Sequence, residues 1–77
     1  MTAELVEYIA RRLVENPDAV SVEEADVDGA LVIRLRVAPE DVGRVIGRGG
    51  RIARALRTVV RASGALGDRR VLLEIVE

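Results

Sequence analysis

The stretch VIGRGGRIARALR, residues 45–57, sets the chain's most flexible backbone beside its densest positive charge. Gly47, Gly49 and Gly50 fall within four positions, and Arg48, Arg51, Arg54 and Arg57 recur every three residues. Glycine carries no Cβ, so a bulky anionic group can approach its backbone closely. Arginine presents a planar fork that matches phosphate oxygens in pairs. A helix opening at Arg51 would aim its first amides and its positive dipole end at the same place. Together these are the parts of a phosphate-binding turn. The candidate residues are Ile46, Gly47, Arg48, Gly49, Gly50 and Arg51, flanked by Arg44 and Arg54.

Other chemistries fit poorly. A nucleotide-binding loop of the Gly-x-x-x-x-Gly-Lys type needs a lysine, and the chain has none. The dinucleotide pattern Gly-x-Gly-x-x-Gly needs a glycine where Ile52 stands and a strand before it, whereas a helical pattern precedes. Histidine and cysteine are absent, which removes the usual general base and the usual metal ligands. Ser21 and Ser63 have no histidine partner for nucleophilic catalysis. No catalytic residue, metal site, cofactor or small-molecule substrate is expected. A plain connector between helices needs one glycine; three cost about 0.5–1 kcal/mol each in a helical setting, and a connector does not call for the surrounding arginines.

Net charge is −1, but it is unevenly spread. Residues 1–41 hold ten acids against four arginines, a net of −6, and residues 42–77 hold eight arginines against three acids, a net of +5. No acid occurs between Val42 and Gly67. That asymmetry suggests an electrostatic footprint on one face. All twelve basic residues are arginine, a bias that bidentate phosphate contact and a GC-rich genome explain equally well.

The elements that must position the turn follow from periodicity. Leu5, Val6, Ile9, Leu13 and Val14 fall at helical spacing, with Thr2 as N-cap and Asn16-Pro17-Asp18 as the stop. Val20 and Val22 begin a strand whose phase shifts at Ala25 and Val27, which suggests a bulge. Asp28-Gly29 marks a hairpin into LVIRLRV, with Leu31, Ile33, Leu35 and Val37 on one face and Arg34 and Arg36 on the other. Pro39-Glu40-Asp41 opens a short helix with apolar Val42, Val45 and Ile46. A second helix runs from Arg51 to Ser63, with Ile52, Leu56, Val59 and Val60 inward, and Gly64 caps it. A last strand starts at Val71. The two-helix crossover of about thirty residues allows the last two strands to be parallel neighbours. The expected fold class is α+β: a three-stranded sheet with helices on one face, in a single domain over residues 1–77. At this length about 60% of the unfolded surface can be buried, so the core is small. No apolar run approaches the ~18–20 residues of a membrane span, and the acid-bearing N-terminal helix is no signal peptide, so a soluble, cytoplasmic protein is expected.

Ile46-Gly47-Arg48-Gly49-Gly50-Arg51 resembles the Ile-Gly-x-x-Gly core of the KH domain, and the order α-β-β-α-α-β resembles its type II form. VIGRGGRIARALRTVVRA, with AELVEYIARRLVENP at the start, closely resembles the bacterial KhpA family across the whole chain. The resemblance implies an RNA-binding protein of the chaperone or regulator type. It implies a homodimer, or a heterodimer with a second KH-containing protein resembling KhpB. It also implies that Gly47–Gly50 clamp the backbone of about four unpaired nucleotides. The wall opposite the turn would be Val71 onward. One position departs: Ala53 stands where many KH domains carry isoleucine, so the helix is expected to enter the core at a different rotation.

Tyr8 is the one aromatic residue, so base stacking cannot supply the grip. Weak, salt-sensitive binding with little sequence choice is expected, in the micromolar range of roughly 8 kcal/mol. An alternative class is a dimerisation or partner-docking module with little RNA binding of its own. A thin core would gain from oligomerisation, and Leu72 and Val76 face away from Val71, Leu73 and Ile75.

Overall fold

The computed structural model describes residues 2–77. Helix α1 (Thr2–Leu13) leads through a short 3-10 turn to strands β1 (Ser21–Val27) and β2 (Ala30–Arg36). Helix α2 (Val42–Ile46), a 3-10 turn over Arg48–Gly50, helix α3 (Arg51–Leu66) and strand β3 (Val71–Val76) follow. The sheet order is β1-β2-β3, with β1 antiparallel and β3 parallel to β2. This is the expected α-β-β-α-α-β order. The hairpin turns on Asp28 (φ 52°) and Gly29 (φ 83°), the two left-handed residues that a tight two-residue turn requires.

The core lies between the sheet and the three helices. Val6 and Ala10 of α1, Ile33 and Leu35 of β2, Val45 of α2, Leu56 and Val60 of α3, and Val71 and Leu73 of β3 are buried there. Leu5 and Val59, expected inward, are 45% and 40% exposed. Their helices meet the core through narrower stripes than the sequence period suggested. Ala53 is buried at 4% exposure, whereas Ile52 is only half-buried. The small residue lets α3 sit close, and Ile52 instead covers Gly47.

Four expectations change. The β1–β2 register runs without a break from Ser21 opposite Arg36 to Val27 opposite Ala30, so there is no bulge. Val22, Glu24 and Asp26 share the helix-side face with Leu35, Ile33 and Leu31, and Ala25 and Val27 lie on the open face. β1 is an edge strand that α1 covers only in part, so Val22 packs against the core while Glu24 and Asp26 stay exposed, and the apolar phase misleads. Thr2 is helical, not a cap, and its hydroxyl is hydrogen-bonded to that of Ser63 on α3. α3 continues to Leu66, with Gly64 inside it and buried. A Cβ at Gly64 would stand 2.3 Å from the Arg69 carbonyl oxygen, so this glycine permits close passage of the chain entering β3 rather than ending the helix.

Candidate nucleic-acid interface

α2 stops at Gly47, whose φ of 78° and ψ of 169° suit glycine. Space imposes the same choice, because a Cβ there would lie 2.7 Å from Ile52 Cγ1. The chain then makes one 3-10 turn. The Gly50 amide donates to the Gly47 carbonyl at 3.1 Å, and the Arg51 amide donates to the Arg48 carbonyl. The Arg51 amide, expected to be free for a ligand, is therefore used inside the turn. What the turn presents outward is Arg48 and Gly49. A Cβ at Gly49 would meet nothing within 4 Å, so open space adjoins the backbone there.

The platform under the turn is set by Asp41, whose side chain is buried at 1% exposure. Its carboxylate accepts from the amides of Glu15 (3.1 Å) and Asn16 (3.0 Å) and from Asn16 Nδ2 (3.0 Å). Burial works to raise its pKa. The hydrogen bonds from the Asn16 side chain and the Glu15 and Asn16 amides, with the Arg44 charge, outweigh burial and hold the carboxyl below its ordinary range. This carboxylate ties the end of α1 to the start of α2. Arg44 strengthens the same joint, pairing with Glu15 at 2.6 Å and approaching Asp41 at 3.8 Å. Arg44 thus faces the α1 side of the turn.

The arginines divide by partner. Arg34 pairs with Glu74 at 2.9 Å, Arg69 pairs with Asp26, and Arg36 donates to the Glu77 carbonyl at 2.7 Å. Arg34 and Arg36 are thus engaged on the open sheet face. Among the described residues, Arg48, Arg51, Arg54, Arg57 and Arg61 form no ion pair, and all five are exposed. Unpaired guanidinium groups spaced along one helix give a ridge of positive potential.

Beside that ridge runs a groove of about 540 Å³ between α3 and β3. Arg54, Arg57, Thr58 and Arg61 line it from the helix, and Val71, Leu72, Leu73 and Glu74 line it from the strand, with Val32 of β2. Arg54 joins groove to turn, its Nη1 lying 3.8 Å from where a Cβ on Gly50 would stand. β3 is a free edge. The Arg70 and Val76 carbonyls accept from the Leu31 and Val37 amides of the β2 side at 2.9 and 3.2 Å. In a parallel ladder alternate residues bond to the neighbour, so the amides and carbonyls of Val71, Leu73 and Ile75 are left on the outer edge, beside α3. The arrangement offers arginines to phosphates on one wall and backbone donors and acceptors to flat polar groups on the other.

Of the residues singled out in the sequence, Arg54 lines this groove. Gly47–Gly50 and Arg51 lie before it in the turn and the first residue of α3 and do not line it, and Ile46 is partly exposed on α2. Arg57 and Arg61 were missing from that set although their spacing from Arg54 already placed them on one helix face. Val32 and Glu74 carried no local signal. The β2–β3 register, which pairs Val32 with Leu72 and Arg34 with Glu74, brings them there.

A sequence model described as KhpA/KhpB, KH domain, matches residues 3–75. The chain is 52% identical over 73 residues to the RNA-binding protein KhpA of Caldanaerobacter subterraneus subsp. tengcongensis, covering 95% of this chain and 97% of that one. It is 51% identical over 77 residues to the RNA-binding protein KhpA of Treponema pallidum, covering 100% and 96%. Among solved structures, Aquifex aeolicus Era bound to GDP·AlF4− superposes with a TM-score of 0.61 at 26% identity. That match covers 97% of this chain and 29% of the Era chain. Era in complex with MgGDPNP and nucleotides 1506–1542 of 16S ribosomal RNA superposes with a TM-score of 0.59 at 24% identity, also over 97% of this chain and 29% of that one, and shares the fold.

Proposed function

The chain belongs to the KhpA/KhpB family of KH domains, and from that premise we propose that it binds single-stranded RNA as a non-catalytic module. Arg48 and Gly49 take the sugar-phosphate backbone at the turn. Arg51, Arg54, Arg57 and Arg61 extend that contact along α3, and unpaired bases turn toward the free edge of β3. The observation that carries this reading is the row of five unpaired, exposed arginines continuous with a glycine turn and a groove. Ion-paired arginines would be neutralised already; these are not, and a polyanion is the ligand that five such groups in line attract. The relatives named RNA-binding protein KhpA support the same choice. An RNA chaperone or regulator role fits a clamp that reads backbone more than sequence.

The test is fluorescence anisotropy of a labelled single-stranded RNA at two salt concentrations. Wild type is compared with the double variant Arg48→Asp with Gly49→Asp. Both positions are exposed and the Gly49 site is open, so circular dichroism should show an intact fold. The variant is expected to bind at least about tenfold more weakly, the equivalent of about 1.4 kcal/mol. Equal binding by both proteins would reduce the turn to a connector.

A second reading, docking of another copy or of a KhpB-like partner, draws on the open sheet face. Val27 and Leu72 are 43% and 37% exposed there, with no helix over them. Sedimentation with and without Val27→Glu separates this reading from RNA binding, because Val27 does not line the groove.

A further inference from the structure

We propose that Glu74 gives the groove a preference for bases that carry an exocyclic amine, with uracil disfavoured, a specificity that rests on the RNA-binding reading above. Glu74 is the one acid lining a groove that three arginines also line. A carboxylate in a channel for phosphates is a liability, since it repels them at close range. The liability is small if the group faces bases. The arginines stand on the α3 wall, and Glu74 lines the groove from the open-face side of the β3 edge, so the bases of a strand whose phosphates follow α3 meet Glu74 where they pass over that edge.

The carboxylate keeps one oxygen open to a ligand. Arg34 Nε, from the neighbouring strand, donates to Glu74 Oε1 at 2.9 Å. Among the described residues the second oxygen has no donor, and the side chain is 52% exposed. A carboxylate only accepts hydrogen bonds. The amine of cytosine, adenine or guanine can donate to it. Uracil offers carbonyl O4 where cytosine has its amine, so lone pairs would face the carboxylate. Cytosine and uracil have nearly the same outline, and comparing them isolates this one group.

The experiment measures anisotropy of labelled C8 and U8 RNA with wild type, E74Q and R34Q, each checked for folding by circular dichroism. Wild type should bind C8 about fivefold more tightly than U8, a modest ratio because the group is half exposed. In E74Q the amide both donates and accepts, so the ratio should fall to about one, chiefly through a gain for U8. R34Q breaks the ion pair but keeps the carboxylate, and should retain the preference. A wild type that binds both oligomers alike, an E74Q protein that keeps the preference, or an R34Q protein that loses it would overturn the assignment to Glu74. Binding of neither oligomer by wild type would overturn the RNA reading itself, and this inference with it.

Discussion

Gly64→Ala tests how the groove is held open. In an ordinary exposed helix this change stabilises by up to ~1 kcal/mol, because alanine is the better helix former. Here the new Cβ would stand 2.3 Å from the Arg69 carbonyl oxygen, 2.8 Å from Val71 Cγ2 and 3.1 Å from the Val71 amide nitrogen. Two of these are backbone atoms. They are tied down by the Arg69 amide donating to the Gly64 carbonyl at 2.8 Å and by the Leu31 amide donating to the Arg70 carbonyl at 2.9 Å. Relief requires α3 to lift from the start of β3 by roughly 1 Å, which loosens dispersion contacts across the joint. Buried Leu56, Val60, Val71 and Leu73 all lie along it. Overpacking of this kind costs about 1–3 kcal/mol, and a clash with backbone belongs at the upper end. Subtracting the helix-propensity gain leaves about 2 kcal/mol of destabilisation. At roughly 4–8 °C per kcal/mol for a domain of this size, Tm should fall by about 8–16 °C. Gly43→Ala is the control. Gly43 lies in α2 with nothing within 4 Å of its Cβ position, so its Tm should rise by a few degrees. The assay is thermal unfolding followed by far-ultraviolet circular dichroism. A Gly64→Ala protein with unchanged or raised Tm would refute the close-passage argument.

Within the turn, Gly47→Ala should cost about 2–5 kcal/mol, since it adds both a left-handed φ and a 2.7 Å contact with Ile52. Gly49→Ala, with the φ penalty but open space, should cost only about 1–2 kcal/mol; denaturant midpoints rank the two. The lowered pKa of Asp41 means that the carboxylate's contribution is complete above the ordinary aspartate pKa and is lost as pH falls through the depressed folded value. Acid titration of stability should therefore be shallower in Asp41→Asn than in wild type, and the variant should be the less stable of the two at neutral pH. For RNA binding, contact with about four phosphates gives a slope of about −3 in log K against log salt. The double variant Arg57→Gln with Arg61→Gln should flatten that slope by about 1.4 if both arginines meet phosphate, and an unchanged slope would remove them from the path.

Features with local causes were legible in the sequence. The period of α1, the Asp28-Gly29 hairpin and the glycine turn each depend on residues a few positions apart, or on φ values that few residue types adopt. Family-level likeness added the KH assignment of that order and of that turn. The rest depended on which distant segments meet. β1 kept an unshifted register because it lies at the edge of the sheet, where burial no longer enforces the alternation. Gly64 looked like a cap and proved to be a contact point, because Arg69 and Val71 return across the helix. Arg44, Arg48 and Arg54 look alike in the chain. Glu15 lies beside Arg44, and among the described residues no carboxylate pairs with the other two, which is a matter of proximity in space. Glu74 entered the groove only through its parallel pairing with Arg34, forty positions away. The sequence by itself thus determined the elements and the glycine turn, because short-range sterics and periodicity decide those. Tertiary structure alone decided which arginines stay unpaired and which carboxylate joins them, because charge pairing follows distance in the folded chain.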